Sequence, residues 1–277
     1  MIGRSLLAGL ILSAWLGTLA WNGMRQVRGR EGVARELTLQ RVGPSAATYR
    51  LERDGATVGM MLRSVDTLPG EVRITERWDV LLDASRRTTI TDVTWLTRDL
   101  RLLRFQTNRS GDVVPIRISG SVSDGPSTLV WRSVRAGEAF SDTLQSARPW
   151  TVPSALPLLA ALAAPSIRDS GLTLFEPLSY RQSDIQPRVL RDSTWIVADS
   201  AAFDSTTQRF VTITTDTLRA SFVTWRGDEG RLGLWVDRIG LPIQLSGIFG
   251  TVAIRTADEL ARQDYRPRPR AANEPTR

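Results

Sequence analysis

The sequence predicts a mainly β protein in which one N-terminal transmembrane helix precedes an antiparallel β-meander, with one apolar helix and a short C-terminal helix. The meander is expected as a curved sheet, a half-barrel or a sandwich. The first observation behind this prediction is an apolar run without charge between Arg4 and Arg25. The second is that apolar and polar residues then alternate along segments of about ten residues, which is typical of half-buried strands. The third is that no crossover helices separate these segments, so a parallel βαβ topology is not expected.

The apolar run predicts a membrane anchor over residues 1–24. About twenty uncharged residues rise about 30 Å as a helix, which matches the hydrocarbon thickness of a bilayer. A cleavable signal peptide is the alternative, because Thr18-x-Ala20 is a small-residue cleavage pattern behind a basic start. The residues expected at the membrane or its interface are Leu6, Leu10, Trp15, Trp21, Arg25 and Arg28.

Four segments follow from this interpretation. Residues 1–24 are the transmembrane anchor, 25–44 a juxtamembrane stalk, 45–265 an extracytoplasmic antiparallel β domain and 266–277 an extended Arg/Pro tail. We expect the protein in the inner membrane, with a single span and the bulk of the chain in the periplasm. The arginines behind the span do not favour this orientation, but large domains cross membranes largely regardless of charge.

Turn signals divide the β domain into strands. Asp54-Gly55 supplies the positive φ angles of a tight hairpin turn, and Pro69-Gly70 makes the next turn. Behind it, Val72, Ile74, Trp78 and Val80 share one face of a strand. Later in the chain, a loop containing Phe175-Glu-Pro-Leu is expected before strands resume with Val189 to Val197.

One apolar helix interrupts the meander. Ser154 is its expected N-cap and Pro165 its stop. This helix either plugs an open face of the curved sheet or docks to a membrane or a partner, since so apolar a helix must be covered. Near the C-terminus, Thr256-x-x-Glu259 predicts a capping box and a short helix. The residues of the candidate apolar plug or pocket are Leu156, Leu158, Leu159 and Leu162.

Missing residue types exclude most catalytic chemistry. The chain has no Cys and no His, and all 36 basic residues are Arg. Thiol nucleophiles, Ser–His–Asp triads, His/Cys metal sites and lysine Schiff bases are therefore excluded. Solvated turn carboxylates are the expected role of the acidic residues, so we predict no enzyme, no catalytic residue, no cofactor and no metal site. The acidic residues weighed for a carboxylate-based hydrolase are Asp192, Asp199, Asp204, Asp216, Asp228 and Glu229.

The net charge of +7 is carried by arginines that alternate with apolar residues along the predicted strands. We find no RNA-recognition motif and no basic helix, so nucleic acid is not an expected partner. A basic surface that faces solvent or lipid headgroups explains the charge better.

Three segments carry a family resemblance: Tyr49 to Gly59 (YRLERDGATVG), Pro153 to Leu159 (PSALPLL) and Leu234 to Leu245 (LWVDRIGLPIQL). Together they resemble the extracytoplasmic β-rich region found in front of bacterial transglutaminase-like domains. The resemblance implies a β domain without transglutaminase activity, because this chain has no Cys or His. By architecture alone, the chain is also similar to single-span accessory subunits of phototrophic reaction-centre and light-harvesting complexes.

These observations favour a non-catalytic accessory subunit of an inner-membrane complex, plausibly a photosynthetic one, with its β domain on the periplasmic face. Its partners would be the bilayer and the other subunits, with peripheral lipid or pigment contacts at the span. The alternative is a periplasmic carrier of half-barrel type that holds a lipid or another apolar ligand against the apolar helix. A carboxylate hydrolase is the distant third interpretation.

Overall fold

The structure is a computed structural model that describes residues 42–83, 85–123, 128–162, 171–227 and 230–265. The predicted anchor residues Leu6, Leu10, Trp15, Trp21, Arg25 and Arg28 lie outside these ranges, as do Pro165, Asp228 and Glu229. Within the described ranges no helix has both the length and the apolar character needed to cross a membrane.

In the described residues, fifteen strands form one sheet. The strands of its first arm are β1 Ser45–Arg53, β2 Ala56–Leu68, β3 Glu71–Leu81, β4 Arg87–Thr97, β5 Leu102–Gly111, β6 Ile116–Val122, β7 Thr128–Arg135 and β8 Glu138–Gln145. Those of the second arm are β9 Trp150–Thr151, β10 Leu172–Glu176, β11 Arg181–Asp204, β12 Arg209–Gly227, β13 Gly230–Asp237, β14 Pro242–Ser246 and β15 Val252–Thr256.

Nearly every strand pairs with its neighbours in sequence. The two arms are joined where the first and last strands pair antiparallel, with Leu51 opposite Ala253. Within the described ranges, the edge strands of the sheet are β8 and β9, which are consecutive in the chain. The prediction of a mainly β fold with a largely antiparallel sheet is confirmed. One pair differs from it, since β9 runs parallel to β10 and the connection between them contains the apolar helix.

The predicted turns of the first arm are confirmed. Asp54 and Gly55 adopt φ angles of 50° and 78° between β1 and β2. Gly70 has a φ angle of 86° at the next turn. Positive φ angles at both central residues are those of a type I′ turn at Asp54-Gly55. At Pro69-Gly70 the proline fixes a negative φ angle, and only the glycine is left-handed, as in a type II turn. Along β3, Val72, Ile74, Trp78 and Val80 are buried, as their spacing predicts.

Aromatic side chains join the inner faces of the two arms. The ring of Phe105 lies 5.6 Å from that of Phe175, and Trp131 stacks on Tyr180 with 5.0 Å between the centroids. The hydroxyl groups of Ser133 and Tyr180 are 2.8 Å apart. Phe175 and Glu176 belong to β10, so the predicted loop is wrong at these two residues, whereas Pro177 and Leu178 lie in the turn before β11 as predicted. Strand pairing with β11 and complete burial of Phe175 hold this segment extended.

The apolar helix α1, Leu156–Leu162, follows a 3₁₀ turn at Pro153–Ala155. Ser154 is not an N-cap, because its hydroxyl lies 2.7 Å from that of Thr94 on β4. Gly240 lies in the turn between β13 and β14 and packs against α1 at Leu158. A Cβ atom at Gly240 would lie 3.0 Å from the Leu158 Cα atom, and the φ angle there is 85°.

A second helix, α2 at Asp258–Asp264, ends the described chain. The predicted capping box is wrong, because Ala257 is the N-cap residue and makes no side-chain capping bond. The Tyr265 hydroxyl, just behind the helix, donates a hydrogen bond of 3.1 Å to Asp79 on β3.

The β11–β12 hairpin is far longer than the other hairpins. It pairs from Gln186 and Arg226 to Asp204 and Arg209. One of its faces packs through Val197 and Ala220 against Trp235.

Candidate functional site

A cavity of about 470 Å³ opens on the inner face of the sheet. Trp78 and Phe105 line it from the first arm, and Leu174, Trp225 and Leu234 line it from the second. Each of these positions follows from the alternation of its strand, which turns every second side chain inward. A cavity of this size and apolar lining lies in the range of small-molecule pockets.

The predicted plug residues divide between the cavity wall and the core. Leu156, together with Pro157, lines the cavity. Leu158, Leu159 and Leu162 are 0%, 5% and 7% exposed and belong to the main hydrophobic core. Helix α1 therefore covers the inner face of the sheet and contributes one end of the cavity wall.

Four polar side chains form a row across the inner face beside the cavity. The strand registers place Arg63 opposite Glu76, Glu76 opposite Asp92, and Asp92 opposite Thr107. Directly opposite residues have Cβ atoms about 5 Å apart and interact. The row therefore brings one base and two acids together in an apolar interior.

The first two members of the row neutralise each other. The Arg63 guanidinium is 1% exposed and pairs with the Glu76 carboxylate. Its Nη1 atom also donates to the Ser154 carbonyl at 2.9 Å, which ties the row to the turn before α1. The Trp78 indole donates a further hydrogen bond of 3.3 Å to Glu76. Glu76 thus has a cation and an N–H donor as partners.

Asp92 has no such cation partner in the part of the chain that the structure describes. It lines the cavity, and burial of its carboxyl raises its pKa to about 7. The negative charge of Glu76 raises the pKa further, while a hydrogen bond from Thr107 opposes both effects. Because this pKa lies near neutrality, the group can donate or accept a hydrogen bond inside the cavity.

The sequence contained a signal for this row, although we predicted no site from it. Arg63, Glu76 and Asp92 each lie two residues from buried neighbours on both sides, as in Ile74, Glu76 and Trp78. A charged residue in phase with the apolar face of a strand is expected to point inward. The three lie side by side because of the register between strands, which cannot be predicted from the alternation within each strand.

The acidic residues considered from the sequence lie elsewhere. Asp192, Asp199 and Asp216 are exposed on the β11–β12 hairpin, and Asp204 is half-buried beside its turn. Among the residues that the structure describes, no group of three or more acidic side chains could hold a metal ion.

A second opening, a groove of about 530 Å³, lies between the β11–β12 hairpin and the outer positions of the first arm. Arg77, Asp199, Asp216 and Asp258 are among the charged residues that line it. The groove separates two packed elements and carries many charges, so the inner cavity is the better candidate for an apolar ligand.

No family model matches the chain, and no curated protein matches it. The chain is similar to a crystal structure of a beta-barrel-like protein of a domain of unknown function, DUF1849, from Brucella abortus. The match covers 78% of this chain and 97% of the chain in that structure. The sequence identity is 15% and the TM-score 0.49. The resemblance to the region before transglutaminase-like domains stays a prediction.

Proposed function

We propose that the β domain binds a small apolar or amphiphilic molecule of the lipid class in the inner cavity. The observation that carries the proposal is the cavity itself, about 470 Å³ of space between aromatic and aliphatic side chains of both arms. An open concave space of this size with mainly apolar walls exposes apolar surface to water, which a bound apolar molecule would cover. Burial of a ligand chain there would recover about 25 cal/mol for each Å² of apolar surface.

The cavity has the two components of a ligand site. Its apolar wall includes Phe105, Leu174 and Leu234, which would contact a hydrocarbon chain. Its polar part includes Asp92 and the Thr107 hydroxyl, which would orient a head group. Pockets of this kind take affinity from apolar area and orientation from a few polar groups.

The proposal can be tested by fluorescence. Trp78 and Trp225 line the cavity and would transfer energy to bound N-phenyl-1-naphthylamine, a neutral apolar probe. We expect saturable binding of one probe per chain to the purified, delipidated full-length protein. Leu245→Trp, which places a larger side chain at the cavity wall, is expected to abolish the saturable signal.

The matched control is Val130→Trp, since Val130 is 45% exposed on the outer face of β7. This variant adds the same indole away from the cavity and should bind the probe like the unmodified protein. Native mass spectrometry gives a second readout through lipids that co-purify with the chain. Equal probe binding by both tryptophan variants, or no saturable binding by any protein, would contradict the proposal.

The accessory-subunit hypothesis is the second candidate, and one observation favours it. Ile196, Phe203 and Ile213 on the β11–β12 hairpin are 71%, 52% and 61% exposed. Exposed apolar side chains grouped on one element are typical of interaction surfaces. The membrane location and the link to photosynthetic complexes rest on the N-terminal sequence and on architecture, and they stay predictions.

A purification in mild detergent tests this candidate. The full-length chain should be recovered with other membrane subunits, and Ile196→Ser with Ile213→Ser should lose them while the domain remains folded. Recovery of the unmodified protein alone, as a monomer, would contradict the hypothesis. Ser200→Ala, a substitution on the same hairpin, is the control variant.

A further inference from the structure

The charges along the cavity wall are strongly unequal. Of the four charged residues that line the cavity in the described structure, Glu76, Asp92 and Glu176 are acids and Arg109 is the single base. Such a lining attracts a positive group and repels a carboxylate or a phosphate.

The four charges differ in how far protein partners already satisfy them. Glu76 is paired with buried Arg63, and Glu176 accepts a hydrogen bond of 3.0 Å from Ser179 at the protein surface. Arg109 donates to the Val114 carbonyl at 3.3 Å, in the β5–β6 turn. Its Nε atom is buried and makes no hydrogen bond among the described residues, so this guanidinium is only partly satisfied.

Among the described residues, Asp92 forms no ion pair with a basic side chain. Its opposite neighbours in the sheet are Glu76, which has the same sign, and Thr107, which is neutral. Burial of an ionised carboxylate without a cation is costly, and here the cost raises the pKa of Asp92 to about 7. A positive group brought in by a ligand would remove that cost.

The aromatic groups of the cavity suit the same kind of ligand. Trp78 lies two residues from Glu76 on β3, and Trp225 and Phe249 also contribute to the wall. Aromatic faces attract cations through their quadrupoles, most strongly when water is excluded.

We propose that the ligand is a cationic amphiphile, whose ammonium group pairs with Asp92 and whose hydrocarbon chain lies between Phe105, Leu174 and Leu234. This inference rests on the function proposed above and specifies the head group. It distinguishes an amine lipid from a fatty acid or a neutral lipid.

The test compares three probes of equal chain length: dodecylammonium, dodecanol and dodecanoate. Each displaces N-phenyl-1-naphthylamine from the full-length protein at pH 8, below the concentration at which it forms micelles. Charge-assisted hydrogen bonds are about twice as strong as neutral ones, so we expect dodecylammonium to bind at least about tenfold more tightly than dodecanol. Dodecanoate should bind most weakly.

The Asp92→Asn variant should lose about tenfold in affinity for dodecylammonium and keep its affinity for dodecanol. Asp66→Asn is the matched control, because Asp66 pairs with Arg73 at the surface, where its side chain is 38% exposed. This control should bind all three probes like the unmodified protein. For the unmodified protein, the affinity for dodecylammonium should fall as the pH drops through about 7 and level off about tenfold lower, at the affinity of Asp92→Asn.

The outcomes separate the two levels of the proposal. Equal binding of the three probes, or tightest binding of dodecanoate, would overturn the cationic head group and leave an apolar pocket standing. Unchanged binding of dodecylammonium by Asp92→Asn would overturn it as well. Failure of every probe to bind would overturn the pocket and the head group together.

Discussion

Replacement of Asp92 by Asn is expected to stabilise the unliganded protein at high pH and to have little effect near pH 4. The pKa of this carboxyl rises from its ordinary value of 3.8 to about 7 in the folded chain. Between these values the native state binds more protons than the unfolded state, so stability falls as the pH rises from about 4 to about 7. Asn keeps an oxygen that accepts the Thr107 hydrogen bond and carries no charge to bury.

The magnitude follows from the two pKa values. At about 1.4 kcal/mol per pH unit, the difference between 3.8 and about 7 corresponds to a cost of up to about 4 kcal/mol in the unmodified protein above pH 7. Asp92→Asn removes this cost, so its advantage in the free energy of unfolding should grow from near zero at pH 4 to a plateau at pH 8.

The assay is urea unfolding of delipidated protein, followed by tryptophan fluorescence at pH 4, 5, 6, 7 and 8. The difference between variant and unmodified protein cancels the titration of all other groups. Asp66→Asn serves again as the control and should show a difference of less than about 1 kcal/mol throughout, because exposed ion pairs contribute little. A constant difference across the pH range, or destabilisation by Asp92→Asn at pH 8, would refute the reasoning.

Three further changes test the packing around the cavity and the hairpin. Glu76→Gln leaves the buried Arg63 charge without its counterion, and urea unfolding should show a loss of about 3–5 kcal/mol. Gly240→Ala forces a Cβ against Leu158 at a positive φ angle, so we expect the melting temperature to fall by several degrees, at a cost of about 1–3 kcal/mol; an unchanged melting temperature would contradict the packing described for α1. Ile196→Ser, at a side chain 71% exposed, should leave the free energy of unfolding within about 0.5 kcal/mol.

The alternation of the sequence predicts strands well where one face is buried and the other is solvated. It predicts β1 to β3 and their turns, because Leu51, Met61 and Ile74 point into a core that leaves the intervening residues polar. Alternation shows which residues are buried, so it indicates a strand only where one face of that strand is buried. Strand β8 gave no signal, because seven of its eight residues are exposed, Phe140 at 60% among them.

Burial also determines how much of the long hairpin and of the site could be predicted. Much of β11 and β12 is exposed on both faces, so their length beyond Val189 and Val197 could not be predicted from apolar spacing. The charged residues of the inner face were in phase with the buried positions, and their direction was available from the sequence. Their assembly depends on the cross-strand register and on the turn at Ser154, which brings a carbonyl to Arg63 from 91 residues away.

Photolabelling tests the central claim, that the inner cavity holds an apolar ligand, most directly. A twelve-carbon amine with a diazirine at the end of its chain would be bound to the delipidated full-length protein, activated by light and located by peptide mass spectrometry. We expect labels on cavity residues such as Leu174, Trp225 and Leu234, and their loss in Leu245→Trp but not in Val130→Trp. Labels confined to the outer surface, for example at Ile196 and Ile213 of the hairpin, would contradict it.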